Sequence, residues 1–337
     1  MYRFFKINKI LSCAPGLLLF LLAASAAYGA ETFSLRPFRP PLMNRISRLL
    51  ERAQRSRLLS RVDALMKTAE LYELLAGAFS PTITVLPPAQ RAIIAQRDPA
   101  TIKALSANLL LFPAPFFFNQ AQRIAEFVKC ARQLDPDFIF LQEVWDNTSM
   151  SLLIASFSDY YSAYSPGMGY NYAGLLILSR FPLQTVMARR FAISFKHSLE
   201  ELTAQKGMML VSSEINGKPL YLLNTHLYSA SPRSYYRPNL VQFGQISAMV
   251  TNMPGRVIIG GDMNLRPEEI DSRLAGNLLR DSCNLPTAGF PSLSQKLDYI
   301  MIKPEAGSKG TINGGCVETA LRFSDHNPVF AEIHFDK

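Results

Sequence analysis

The sequence predicts an α+β fold: two β-sheets packed face to face, with helices on their outer sides. Three observations lead there. From Thr101 onward, short apolar segments of strand length recur, rich in Val, Ile, Leu and Phe. Only a few segments between them carry the three-and-four spacing of a helix. Many strands with few intervening helices suit two packed sheets better than a simple βαβ wind. With 48% hydrophobic residues and 22 Phe in 337 residues, the chain can fill a large core.

The elements follow in order. Arg3, Lys6 and Lys9 precede an apolar stretch from Ile10 to Ala30 that ends in small residues. Residues 1–30 match an export signal, with cleavage after Ala26, Gly29 or Ala30. The same run approaches membrane-spanning length, so an uncleaved anchor is the alternative. A secreted or periplasmic protein is expected, or a membrane-anchored one if the leader stays. Cys130, Cys283 and Cys316 lie beyond the leader, too few for a disulfide framework. Residues 31–100 form a linker and a basic arm. Ile46, Leu49, Leu50 and Ala53, then Leu58, Val62, Leu65, Met66 and Ala69, give a helical apolar stripe from Met43 to Ala76. Arg45, Arg48, Arg52, Arg55 and Arg61 occupy its other face. Such a helix can lie on an anionic surface or pack on the main domain with its basic face in water. A short strand is expected at Thr82–Leu86.

Residues 101–337 are the main domain. Strands are predicted at Thr101–Leu111, Phe138–Gln142, Leu175–Ser179, Met208–Glu214, Leu220–Thr225, Val257–Gly260, Asp298–Ile302 and Val329–Phe335. Helices are predicted at Gln120–Leu134, Ser149–Phe157 and Asn239–Thr251. Charge divides at the same boundary. Residues 1–100 hold 14 Lys and Arg against 6 Asp and Glu, whereas residues 101–337 hold 21 against 20. The net +9 therefore belongs to the N-terminal third, and the main domain lacks the basic footprint of a duplex-binding groove.

Polar residues cluster where these strands end. Asn108 follows Leu105-Ser106-Ala107, and Gln142-Glu143 follow Phe138–Leu141. Asn224-Thr225-His226 follow Leu220–Leu223. In VIIGGDMNLR, Gly260 and Gly261 allow close backbone approach, and Asp262 and Asn264 stand two apart, on one face if the segment stays extended. Asp298 opens a strand, and Ser324-Asp325-His326 precede another. Strand ends of a sandwich converge on a rim, so one rim gathers two histidines, four carboxylates and several amides.

The series SAN, LQEV, NTHL, GDMN, LDYI and SDHNPV, in that order, resembles the endonuclease/exonuclease/phosphatase superfamily of metal-dependent phosphoesterases. The resemblance covers about residues 101–337. It implies a four-layer α/β/β/α sandwich and Mg²⁺-dependent cleavage of a phosphate ester, with Mn²⁺ as a substitute. The chemistry asks for the same parts. An anionic phosphodiester needs charge compensation and an activated water. Mg²⁺ takes few carboxylates, and Glu143 is the leading ligand, with Asn108 and Asp325 beside it. His326 is the general base, because imidazole titrates near working pH. By resemblance Asp298 orients it. Asp262 and Asn264 are assigned to the attacking water or the transition-state oxygens, and His226 to a phosphate oxygen or the leaving group.

For substrate, QEVWDN, Lys206-Gly207 and the spacing of Asn108, Pro113 and Arg123 resemble the neutral sphingomyelinase branch. The segment after NTHL departs from it, with Asn239-Leu240 where an Arg is expected before Gln242. Aromatic stretches at Phe112–Phe118 and Tyr160–Tyr172 suit a membrane interface, or close the core under loops. A phospholipid headgroup diester with peripheral membrane contact is therefore the first substrate expectation. A secreted nuclease is the second. An inositol-phosphate phosphatase is the third, weakened because QKLDYI replaces the Trp-Cys-Asp-Arg segment of that class. A non-catalytic binding module on the same scaffold is disfavoured by the retained acid, base and ligand. A monomer is expected.

Overall fold

The computed structural model describes residues 82–89, 101–112, 119–166, 171–191, 204–229, 237–273, 278–281, 285–288, 295–319 and 323–336. The leader, the basic arm, the Phe116–Phe118 stretch, His197 and Cys283 lie outside them. The chain forms two compact units, Met1–Ser80 with Ala192–Gln205, and Pro81–Phe191 with Lys206–Lys337. All elements below belong to the second.

In chain order these are β1 (Thr84–Leu86), β2 (Thr101–Leu111), α1 (Gln120–Leu134), β3 (Phe138–Val144), α2 (Asn147–Ser156), β4 (Tyr161–Pro166), β5 (Asn171–Ser179) and β6 (Gln184–Arg190). Then follow β7 (Gly207–Ile215), β8 (Lys218–His226), α3 (Pro238–Thr251), β9 (Arg256–Asp262), α4 (Pro267–Asp271), β10 (Leu279–Arg280), β11 (Asp298–Lys303), β12 (Gly310–Cys316) and β13 (Val329–Phe335). A seven-stranded sheet runs β1-β4-β5-β3-β2-β13-β12, and a six-stranded sheet runs β10-β11-β9-β8-β7-β6. The expected sandwich is present, and the sheet starts ahead of Thr101, because β1 pairs with β4.

Alternation along the strands builds four layers. Phe138 and Phe140 of β3 face Leu222 and Ile258 of the other sheet in the central core. Ile139 and Leu141 point the opposite way, onto Ile124 and Phe127 of α1 and Leu153 of α2. In the second sheet Leu223, Val257 and Ile259 turn outward onto Phe243, Ile246 and Val250 of α3 and Ile270 of α4. A strand covered on both faces has no solvent side, which is why these segments are unbroken apolar runs. Each such side chain withdrawn from water contributes roughly 1.5–3 kcal/mol. The start of α2 moves two residues ahead of the predicted Ser149, because the Asp146 carboxylate caps it by accepting from the Ser149 N–H at 2.8 Å. No helix among the described residues is long and apolar enough to cross a membrane.

The two glycines of VIIGGD do make room for close approach. A Cβ on Gly260 would lie 2.4 Å from the Phe140 ring of the facing sheet, and one on Gly261 would lie 2.3 Å from the Thr225 carbonyl of the neighbouring strand.

Candidate active site

Topology alone delivers the strand ends to one rim. Each sheet holds one parallel pair among its described strands, β2–β3 in the first and β8–β9 in the second. Parallel neighbours finish on the same side. Asn108 therefore stands in register with Gln142, one residue before Glu143, and His226 stands in register with Asp262. Antiparallel β11 begins where β9 ends, so Asp298 also pairs with Asp262. Antiparallel β13 begins opposite Ser106 of β2, which brings the preceding Asp325 and His326 to the same edge.

The side chains meet there. Asn108 Nδ2 donates to Glu143 Oε1 at 2.9 Å and to Asp262 Oδ2 at 3.1 Å, joining the two sheets. Its Oδ1 accepts from the Leu110 N–H at 3.1 Å. His326 Nδ1 lies 2.7 Å from Asp298 Oδ2 and 3.9 Å from Asp262 Oδ2. His226 Nε2 lies 3.5 Å from the same Asp262 oxygen. Below this layer, Gln142 Nε2 donates to Asn224 Oδ1 at 2.8 Å, and Asn224 Nδ2 donates to the Leu141 and Leu176 carbonyls. That buried network fastens one sheet to the other under the rim.

The electrostatics separate the two histidines. Burial, with the charges of Lys206 and His326, pushes His226 well below the ordinary histidine range, so it is neutral at pH 7 and its approach to Asp262 is not an ion pair. Burial would also lower His326, but the Asp298 carboxylate, with the charges of Asp325 and Asp262, overrides it and holds His326 well above that range. Burial and the charge of Asp298 push Asp262 up to about 7. Burial, then the charge of Asp325, raises Glu143. Glu143 Oε2 is buried and has no hydrogen-bond partner.

The Asp262–Asn264 geometry differs from the expectation. β9 ends at Asp262, and Asn264 has φ 46°, a left-handed turn instead of an extended step. Its N–H donates to Asp262 Oδ1 at 3.0 Å, and its Nδ2 donates to the Leu227 carbonyl at 3.1 Å. Asn264 thus braces Asp262 and the residue after His226; its amide does not project beside the carboxylate. His334 stands apart on β13, beside Thr101.

A constellation of this kind on a two-sheet sandwich has known relatives, and the model of the Endonuclease/Exonuclease/phosphatase family matches residues 105–326. The chain belongs to this family. A curated relative, the 5'-tyrosyl-DNA phosphodiesterase of Caenorhabditis briggsae, is 30% identical over 159 residues, 45% of this chain and 42% of that protein. The chain thus spans under half the length of this relative. Among solved structures, Staphylococcus aureus beta toxin with bound magnesium ions is similar, with a TM-score of 0.56 at 19% identity over 70% of this chain and 99% of the other. Sphingomyelinase C from Streptomyces griseocarneus has a TM-score of 0.54 at 20% identity, over 69% and 99%. These structural likenesses show the fold.

Within the family frame, the residues fit a divalent cation. Glu143 offers a carboxylate oxygen with no hydrogen-bond partner among the described residues, Asn108 Oδ1 keeps a second lone pair, and Asp325 is close enough for its charge to raise Glu143. Asp262, Asp298 and His326 also place ligand atoms within 4.8 Å of one another, but His326 Nδ1 is already engaged by Asp298.

Several residues that the sequence marked only through the sphingomyelinase-branch resemblance, or through the departure from it, have supporting places here. Arg123 of α1 donates to the Leu109 and Leu110 carbonyls and to the Phe323 carbonyl, tying the end of β2 to the segment before Asp325. Lys206 Nζ donates to the Leu227 carbonyl at 3.1 Å. Asn239, which marks the departure from the sphingomyelinase pattern, is buried and donates to the Asn264 carbonyl at 2.7 Å. Trp145, two residues past Glu143, is buried with its ring against Gly174, where a Cβ would lie 2.9 Å from the indole.

Proposed function

We propose that the chain is a metal-dependent phosphodiesterase in which water, activated at His326, attacks a phosphodiester seated on the rim. The observation that carries this is the Asp298–His326 pair at 2.7 Å, set beside Asp262 with Asn108 and Glu143 across the sheet interface. Asp298 holds Nδ1, which leaves Nε2 to take the proton from water. Asp262, with its pKa near 7, accepts a hydrogen bond from the water or shares its proton. His226, kept neutral, donates to a phosphate oxygen without adding charge. Glu143, with Asn108 and Asp325, would hold Mg²⁺ or Mn²⁺. The cation would supply positive charge that compensates the phosphate and lowers the pKa of His326 toward working pH.

Two substrate classes have separate support. A phospholipid headgroup diester is supported by the near-neutral main domain, the export-like leader and the QEVWDN and Lys206-Gly207 resemblances. A phosphodiester at a nucleic-acid end is supported by the curated relative, whose name states that activity on DNA. That relative moves the nucleic-acid reading up from the second place the motifs give it.

The deciding experiment offers the purified protein sphingomyelin and phosphatidylcholine liposomes, a 5'-phosphotyrosyl oligonucleotide, plasmid DNA and inositol phosphates, each with Mg²⁺ and with EDTA. EDTA-sensitive hydrolysis of a diester is expected. Activity that survives EDTA, or none on any diester, overturns the reading. Phosphocholine release selects the lipid class, and cleavage of the oligonucleotide alone selects the nucleic-acid class.

A further inference from the structure

Asp298 and His326 come from different sheets: Asp298 opens β11, and His326 lies ahead of β13. A hydrogen bond between two sheets needs something that fixes both backbones at once. Thr287, fully buried and outside every motif, touches both. Its hydroxyl oxygen accepts from the Leu297 N–H at 2.9 Å and the Asp298 N–H at 3.1 Å. Its carbonyl accepts from the Asn327 N–H at 2.7 Å, and the next residue, Ala288, forms a β-bridge with His326. The Thr287 and Ala288 N–H groups both donate to the Gln295 carbonyl at 3.0 Å, so the fastening is closed on itself. On the other side of Asp298, the buried Lys296 ammonium donates to the Asp298 carbonyl at 2.9 Å and to Asp281 Oδ1 at 2.8 Å. Threonine suits the place because a β-branched side chain has few χ1 options, so its oxygen stays where both N–H groups meet it.

We propose that Thr287 is a positioning residue whose hydroxyl sets the Asp298 backbone, and through it the Asp298 carboxylate, against His326. This rests on the reading of that pair as the proton-transfer unit. Thr287→Val keeps the shape and removes the acceptor. Thr287→Ser keeps the acceptor. On the diester that the wild type cleaves, the Val variant should lose about 10- to 100-fold in kcat, with KM and the Mg²⁺ needed for half-activation unchanged. The Ser variant should recover it. A second readout needs no turnover: the downfield proton resonance of the His326 Nδ1–H···Asp298 bond, followed with ¹⁵N-histidine labelling, should weaken or move in the Val variant and return in the Ser variant. If Thr287→Val does not fold, Thr287→Ala removes the hydroxyl without setting a methyl against the two N–H groups.

A Val variant with native kcat and a native resonance overturns the proposal. So does a Ser variant that fails to restore them, since side-chain volume would then be the cause. A wild type that cleaves no diester ends the functional reading, while the resonance still decides whether Thr287 holds the pair.

Discussion

The two sheets reach the rim by different means. The six-stranded sheet delivers its residues by register: His226 and Asp298 both pair with Asp262, on strands without irregularity at that point. The seven-stranded sheet brings Asn108 and Glu143 together where its register breaks. The β2–β3 pairing slips between Asn108 and Leu111, and Leu110 and Glu143 both hold left-handed backbones, at φ 49° and 56°. A non-glycine residue in that conformation costs roughly 1–2 kcal/mol, and such strain persists only where surrounding contacts enforce it. At Leu110, Arg123 and Asn108 supply those contacts. In the proposed reading proton transfer joins the two sides, with Asp298 and Asp262 from the regular edge set against His326 from ahead of β13, while the strained edge, with its unsatisfied Glu143 oxygen, would hold a cation.

Replacing His326, which the larger sheet sets against Asp298 of the regular side, by Ala tests the proton-transfer pair and should have the largest effect. Turnover is expected to fall about 10²- to 10⁴-fold, and added Mg²⁺ should not restore it. Asp298→Asn should lose less, because the base remains. Near-native turnover in the Ala variant would remove His326 from its role. Glu143→Gln tests the strained side and should behave differently. The Mg²⁺ needed for half-activation is expected to rise, on the order of 10- to 100-fold, with turnover partly recovered at saturating metal. If metal titrations of the two variants run parallel, the division between proton transfer and cation holding is broken.

A smaller effect sharpens the contrast through stability. Asp262 is raised from the usual carboxylate value to about 7 by burial and Asp298. A carboxyl whose pKa is higher folded than unfolded favours folding while protonated. That contribution is complete below about pH 4 and is lost as pH climbs through 7. Without metal, Asp262→Asn should therefore gain on the wild type between pH 4 and 8, by something on the order of 1–4 kcal/mol. Thermal melts of the two proteins in EDTA across that range measure it, and a gap that does not change with pH contradicts the burial argument.

The sequence showed most of the interior and little of the edges. The predicted Thr101–Leu111, Gln120–Leu134 and Val329–Phe335 match β2, α1 and β13 residue for residue, because doubly covered strands and an amphipathic helix leave clear apolar patterns. β4, inside the larger sheet, was missed: the Tyr160–Tyr172 stretch, expected to suit a membrane interface or to close the core under a loop, instead has Tyr160 buried and supplies β4 and the start of β5. The edge strands β6 and β12 were not legible either. Each closes one side of its sheet and is part-exposed, and β12 reads GTINGGC, three glycines in seven residues. Edge strands carry little core and so little pattern. At the site, identities were legible and conformations were not. Asp262, Asp298, His226, His326, Asn108 and Glu143 do converge, but nothing in GDMN announces the left-handed turn at Asn264, and nothing in LQEV announces the one at Glu143. Thr287 was beyond reach, since its bonds run to Leu297, Asp298 and Asn327, residues that only the tertiary fold brings near.

Trp145 is the one tryptophan in the chain, and it sits two residues beyond Glu143 with its ring closed in against Gly174. Its indole N–H is buried without a partner. Emission excited at the red edge of the protein's absorbance therefore comes from a single known place, next to the residue assigned to hold the cation. A change of colour or intensity on adding Mg²⁺, absent in Glu143→Gln, would report occupancy with no substrate, no label and no turnover in the cuvette.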